Sequence, residues 1–235
     1  MKNILVTGAT SGIGYATTKF LIESGYYVVM VARNKERLEE VYREHMENTT
    51  YIPCDLSRLD DVPSIFGFCA DKGIKLDGLV HCAGDVWNAP VKTCSMEKMM
   101  YLYRLNCMSF VELSKLFYKK KHSQEGASIV AVSSISSWKN APGLCAYSAS
   151  KAALNSSVET MSKEFVRRKI RVNAILPGFV NTEMTQKSME HIGRKDVFMP
   201  LGVIEPQYIS YLVEFLLSDK AKYITGSLIP VTSGA

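Results

Sequence analysis

No run of about 18 apolar residues occurs in this 235-residue sequence, so a membrane-spanning helix is not expected. Nor is there a glycine-, proline- or serine-rich stretch or an internal repeat, and nothing divides the chain into more than one domain. The six cysteines (Cys54, Cys69, Cys82, Cys94, Cys107 and Cys145) form no CxxC pair, and with only four histidines there is no metal-ligand spacing. A disulfide framework and a metal site are therefore not expected, and the thiols read as small buried residues in a reducing compartment. The net charge of +5 is mild, and no basic run is long enough to argue for nucleic acid. Met1–Val6 passes directly into a strand pattern, which leaves no room for a secretion signal. The expectation is a cytoplasmic protein with no nucleic-acid or membrane partner.

What is present is the balance of a globular domain with a sizeable core, 47% hydrophobic and 22% charged. Ile4–Val6, Tyr27–Val31, Thr50–Pro53, Gly78–His81, Ser128–Val132, Arg171–Leu176 and Ser227–Val231 read as strands. Several are apolar on both faces, as buried parallel strands are. Between them Gly12–Ser24, Lys35–Glu47, Leu59–Lys72, Met96–Lys121, Ala146–Lys169 and Pro206–Ser218 carry helical patterns. This alternation predicts an α/β fold, a Rossmann-like doubly wound parallel sheet in a single domain spanning residues 1–235. Met184–Glu205 breaks the pattern and is expected to be a short substrate lid.

Chemistry concentrates in two places. Strand Ile4–Val6 runs into Thr7-Gly8-Ala9-Thr10-Ser11-Gly12-Ile13-Gly14, which opens a helix. In that context Gly8 permits the tight turn and Gly12 lets the backbone approach a pyrophosphate. Gly14 allows close helix–sheet packing, and the helix N-terminus faces the phosphate charge. At the end of the second strand, Ala32 occupies the place where an acid would bind the adenine ribose of NAD, and Arg33 follows it. A guanidinium there can take a 2′-phosphate, so NADP is expected, with NAD as the alternative. The second place is Tyr147 and Lys151. Four residues apart on a helix, they share one face. A phenol titrates near ~10, and a cation beside it favours the phenolate, which makes Tyr147 a candidate acid–base group.

Taken together, these residues resemble the short-chain dehydrogenase/reductase family of compact single-domain type. The resemblance implies a catalytic tetrad of Asn106, Ser134, Tyr147 and Lys151, with Ser134 orienting a carbonyl oxygen and Lys151 also binding the nicotinamide ribose. Asn106 would hold a water linking Lys151 to solvent. Asp55, followed by Leu56, matches the adenine-contacting acid, and Ala83-Gly84 ends the motif after the fourth strand. Pro177-Gly178, with Val180 and Thr182, matches the element that holds the nicotinamide amide. Ile224-Thr225-Gly226 resembles the element before the last strand. The chain departs from the family where Asn-Asn-Ala-Gly is His81-Cys82-Ala83-Gly84, which removes an Asn that fixes the central sheet. It also has Ser11 where many NADP-preferring members carry Lys or Arg.

The implied reaction is hydride transfer between nicotinamide and a carbonyl or secondary alcohol, with a 3-oxoacyl-carrier-protein reductase as one candidate. The competing reading is a non-catalytic NADP-binding sensor or scaffold. Lys119-Lys120-Lys121 and Arg167-Arg168-Lys169 are candidates to meet an acidic acyl carrier protein. Trp87, Trp138, Cys145, Met184, Met189, Phe198 and Met199 are expected to border a partly apolar substrate pocket. Apolar residues along the two long helices predict a homodimer or homotetramer through an outward stripe. They are Leu102, Leu105, Phe110, Leu113, Leu116 and Phe117 on one, and Ala152, Leu154, Val158, Met161 and Phe165 on the other.

Overall fold

The computed structural model describes residues 1–192 and 199–234, the first range with side chains to residue 188. Seven parallel strands form one sheet in the order β3-β2-β1-β4-β5-β6-β7. They are β1 (Asn3–Thr7), β2 (Tyr27–Ala32), β3 (Thr49–Pro53), β4 (Leu76–His81), β5 (Ser123–Val132), β6 (Arg171–Pro177) and β7 (Leu228–Val231). Helices α1 (Gly12–Glu23), α2 (Lys35–Glu44) and α8 (Pro206–Leu217) cover one face. Helices α3 (Val62–Asp71), α4 (Met96–Tyr103), α5 (Ser109–Phe117) and α6 (Cys145–Phe165) cover the other. The order reverses direction between β1 and β4, and at such a switch point the strand C-termini leave a crevice that no helix fills.

Two elements differ from their sequence patterns. The expected helix Met96–Lys121 is not continuous. It widens into a π turn at Arg104–Met108 and ends at Phe117. Asn106 sits in that wide turn, and single π turns of this kind recur at functional sites. Glu183–Ile192, inside the expected irregular lid, is a helix, α7. The Thr182 hydroxyl accepts from Thr185 N at 3.3 Å and caps its first turn, and Glu183 pairs with Lys187 one turn on. Beyond it, Ile204 returns to bridge Val180, with Asn181 N donating to Ile204 O at 2.8 Å. Residues 193–198 of the expected lid, Phe198 included, lie outside the described residues, as does the Met189 side chain.

The expected outward stripe is largely an inward one. Leu102, Leu105, Phe110, Leu113, Leu116 and Phe117 are all buried, as are Leu154, Val158 and Phe165. Met161 is half-buried, and only Ala152 faces out. One wide apolar face packs wholly on the sheet, as the breadth of a core-facing helix allows. The large outward apolar residues of this region are instead Met96, Met100, Met108 and Val166. The cysteines also divide: Cys54, Cys69 and Cys107 are buried, whereas Cys145 is exposed.

The two basic runs sit at the wrong edge of the sheet for delivering a substrate. Lys119–Lys121 precedes the start of β5 and Arg167–Lys169 the start of β6, whereas the crevice lies at the strand C-termini. β5 bulges between Ser123 and Ser128, and the regular strands put about 20 Å between the two edges. Arg168 moreover is structural, donating to Tyr118 O and, at 2.8 Å, to Ser123 O. Lys169 pairs with Glu125 at 2.7 Å.

Candidate active site

The crevice at the strand C-termini has a volume of about 670 Å³. Its floor on one side is the turn from β1 into α1, where Gly8, Thr10, Ser11, Gly12, Ile13 and Gly14 all line it. Gly8 and Gly12 have φ of +65° and +49°, which side chains rarely adopt. A Cβ on Gly14 would stand 2.1 Å from Gly8 O, so only glycine lets α1 rise this close to the turn. A Cβ on Gly12 would fill the gap to Thr182 Cγ2 at 3.1 Å. Pro177, Gly178, Val180 and Thr182 form the opposite wall, and Ala83 and Gly84 the floor between. These residues fit a dinucleotide: a glycine cradle, a free helix N-terminus for phosphate and, at the far end, Arg33 beside Ala32 with no acid on the strand end.

Two expected contacts stand elsewhere. Asp55 does not line the crevice, though its neighbours Cys54 and Leu56 do. Its Oδ1 is taken up by its own turn, accepting from Ser57 N at 3.0 Å and from Ser57 Oγ at 2.8 Å. Asn106 lies behind the wall, fully buried. Its Nδ2 donates to Asp85 O at 3.0 Å and to Ser150 Oγ at 2.9 Å, while its Oδ1 accepts from Asp85 N at 2.9 Å. Both amide protons are therefore committed, and the side chain has no donor left for a water. Its visible work is to fix the backbone after Gly84. A Cβ on Gly84 would meet Asn106 Oδ1 at 3.1 Å and Lys151 Nζ at 3.4 Å.

Ser134, Tyr147 and Lys151 converge on the crevice from β5 and α6. Ser134 and Tyr147 face the crevice together. Burial pushes the phenol pKa up, the Ser134 hydroxyl draws it back and the charge on Asp85 raises it again. The Lys151 ammonium is not among these influences. It donates to Val132 O at 2.9 Å and stands 6.0 Å from the centre of the Tyr147 ring. Burial lowers its own pKa to about 8. Burial acts on both groups and favours both neutral forms.

The replacement of Asn-Asn by His81-Cys82 has a compensation. The Thr7 hydroxyl accepts from Cys82 N at 3.2 Å and from Ala83 N at 3.1 Å. A hydroxyl has two lone pairs and one proton, so its proton is left for His81 Nδ1, 3.1 Å away. His81 therefore carries its own proton on Nε2, which is buried without a partner among the described residues. Burial, with help from the Lys151 charge, holds the His81 pKa down to about 3, so the imidazole is neutral. A neutral His81 and Thr7 together pin the strand end that Asn would otherwise hold.

Several lining residues carry no signal in the sequence patterns. Asp85 lies in the crevice beside Gly84 and accepts from Tyr101 Oη at 3.4 Å; Arg33 Nη1 donates to that same hydroxyl at 3.3 Å. Asn88 Nδ2 donates to Ser188 Oγ at 2.9 Å and ties the segment after β4 to α7. Of the expected apolar border, Trp87 and Met184 line the crevice. Trp138, Cys145 and Met199 do not, and Asp85, Asn88 and Ser188 give it a polar wall.

The sequence pattern of the short chain dehydrogenase family matches residues 2–193. The chain belongs to the short-chain dehydrogenase/reductase family. Its relatives include carbonyl reductase family member 4 of Xenopus laevis, 32% identical over 234 residues, covering 99% of this chain and 97% of that one. A 3-oxoacyl-[acyl-carrier-protein] reductase of Rickettsia conorii is 32% identical over 238 residues, covering 99% and 96%. Among solved structures, a short-chain type dehydrogenase/reductase from Mycobacterium ulcerans superposes with a TM-score of 0.91 at 26% identity, covering 99% of this chain and 89% of that one. Short-chain dehydrogenases are oxidoreductases that use a nicotinamide cofactor, and the glycine cradle fits that use. No helix among the described residues is long and apolar enough to cross a membrane.

Proposed function

We propose that this chain is an NADP(H)-dependent carbonyl reductase whose proton donor is Tyr147. The observation that carries this is the convergence of Ser134, Tyr147 and Lys151 on the crevice that the glycine turn opens and Arg33 closes. When bound, the nicotinamide supplies the hydride. Ser134 and Tyr147 both offer hydroxyl hydrogens to a carbonyl oxygen, and Tyr147 gives up its proton as charge develops there. A phenol held protonated by burial suits the reducing direction. Lys151, its pKa lowered by burial to about 8, holds its ammonium in the same crevice from its position at Val132 O. NADP is favoured over NAD by Ala32 and Arg33. The names of the relatives favour a 3-oxoacyl thioester, and an acyl carrier protein, if it is the partner, docks on the crevice side of the sheet rather than on Lys119–Lys121. A homo-oligomer in this reading pairs through the outward Met96, Met100, Met108 and Ala152.

The test is NADPH oxidation followed by absorbance with simple ketones, 3-oxoacyl thioesters and keto-sugars side by side. Turnover of one class, lost in Tyr147→Phe, supports the reading. Tight NADPH binding with no turnover of any class returns the chain to the sensor or scaffold reading.

A further inference from the structure

Asn155 stands on α6 four residues beyond Lys151 and is 4% exposed. Its Nδ2 donates to Ser137 Oγ at 2.7 Å, and Ser137 Oγ donates to the backbone carbonyl of Ser134 at 2.6 Å. The proton inventory fixes the direction of this chain. Ser137 has one hydroxyl proton, and the Ser134 carbonyl can only accept, so that proton is committed there. The lone pair left on Ser137 needs a donor, which the Asn155 amide supplies. A flipped carboxamide would set two acceptors against each other with no proton between them. On its other side Ser134 is held too, since its Oγ accepts from Ser136 N at 3.1 Å. The Ser134 hydroxyl, which lines the crevice beside Tyr147, is thus fixed by a turn whose outer anchor is Asn155.

A second observation bears on why an amide is there. Asn155 Oδ1 is buried with no partner among the described residues. An unmet buried acceptor destabilises the fold, and an apolar side chain of similar size would avoid that cost. The donor half of the amide is what repays it.

We propose that Asn155 is a positioning residue for the reaction, setting the Ser134 hydroxyl against Tyr147 through Ser137. This rests on the reading of Ser134 and Tyr147 given above. Asn155→Asp is the sharp variant, because an ionised carboxylate of the same shape cannot donate. It and Asn155→Leu are expected to lower kcat about tenfold, as small displacements of a reacting pair do, with the NADPH Kd within about twofold. Ser137→Ala should do the same, and Asn155→Leu combined with Ser137→Ala should be no worse than either alone, since both break one chain. Activity is read with NADPH and the fastest carbonyl compound of the panel. A readout without substrate is the ring-carbon NMR signal of the Tyr147 phenol, assigned by its loss in Tyr147→Phe. It should shift in each variant as it does in Ser134→Ala.

Unchanged kcat in the Asn155 variants with an unmoved Tyr147 signal overturns the inference, and so do additive losses in the double variant. Should Asn155→Asp fail to fold, Ser137→Ala, on a half-buried loop, decides the question by the same two readouts. If Ser134→Ala itself leaves kcat unchanged, the reading of Ser134 falls, while the Tyr147 signal still reports whether the chain reaches the phenol.

Discussion

At the catalytic end of the crevice the polar side chains are buried or half-buried and held by short bonds. Lys151 Nζ lies 2.9 Å from Val132 O, Asn106 Nδ2 lies 2.9 Å from Ser150 Oγ, and Ser137 Oγ lies 2.6 Å from Ser134 O. At the opposite end Arg33 is exposed, and its contact with Tyr101 is a long 3.3 Å. The contrast follows from what each end has to do. Proton and hydride transfer need reacting atoms placed within a fraction of an ångström, which only interlocked side chains provide. Choosing between a phosphate and a hydroxyl needs a charge in roughly the right place, because Coulomb forces decay slowly with distance. Substitutions at the first end should therefore cost rate, and substitutions at the second should change a ratio.

The largest effect is expected at Tyr147. Tyr147→Phe should lower kcat by at least about 100-fold, the usual worth of a positioned proton donor, while NADPH binding by fluorescence titration stays intact. Turnover within about tenfold of the parent would mean the phenol is not the acid.

His81 probes the rigid end through stability. Its folded pKa of about 3 lies below the unfolded value of about 6.5, so the unfolded chain takes up a proton first as pH falls. Stability contributed by the neutral imidazole is complete above 6.5 and is lost as pH drops from there toward 3. The slope is about 1 kcal/mol per pH unit, readable by urea denaturation at stepped pH. His81→Asn should flatten that slope. Equal slopes in the two proteins would show that His81 is not held neutral.

Gly84→Ala tests whether the catalytic end tolerates any displacement. The added methyl would press on Asn106 Oδ1 at 3.1 Å and Lys151 Nζ at 3.4 Å. A loss in kcat of about tenfold is expected, with melting temperature nearly unchanged. A large fall in melting temperature with kcat preserved would make Gly84 a packing residue only.

Arg33→Asp tests the other end. It removes a phosphate partner and adds an acid beside the ribose hydroxyls. The NADP-to-NAD ratio of dissociation constants should move toward NAD by about 1 kcal/mol, the low end for a charged bond because the site is exposed. An unchanged ratio would make Arg33 an ordinary surface residue.

The same contrast explains what the sequence made readable. The strand–helix alternation, the glycine turn and the Tyr147–Lys151 spacing are local. A turn that needs φ of +65° at Gly8 calls for glycine wherever it occurs, and four residues always make one helical turn. Most of what escaped depended on partners distant in the chain. In the π turn at Arg104–Met108, Asn106 bonds the backbone of Asp85, and no hydrophobic period records that. Asp55 matched a motif yet spends its Oδ1 on Ser57. The apolar stripe on α5 and α6 could not be assigned a direction, since inward and outward leucines look alike in sequence. Ser137 and Asn155 read as loop and helix polarity, and only the fold makes them a chain ending at Ser134.

The smallest effect is expected at Tyr101. Its hydroxyl stands between Arg33 Nη1 at 3.3 Å and Asp85 Oδ2 at 3.4 Å, so it joins the selecting end of the crevice to the residue that helps raise the Tyr147 pKa. Both bonds are longer than the usual range for strong ones, and the Arg33 end is open to solvent. Tyr101→Phe removes both bonds but leaves Arg33 its charge and its place at the end of β2. If selection works by charge rather than by a fixed bond, the NADP-to-NAD ratio should change by less than about threefold. The acid side of the kcat profile should also stay where it was, because Asp85 keeps its other bond, to Val86 N at 2.8 Å. A change in the ratio as large as that of Arg33→Asp would show that Arg33 must be held in place to select. The selecting end would then be as tightly built as the catalytic one, and the contrast between them would not stand.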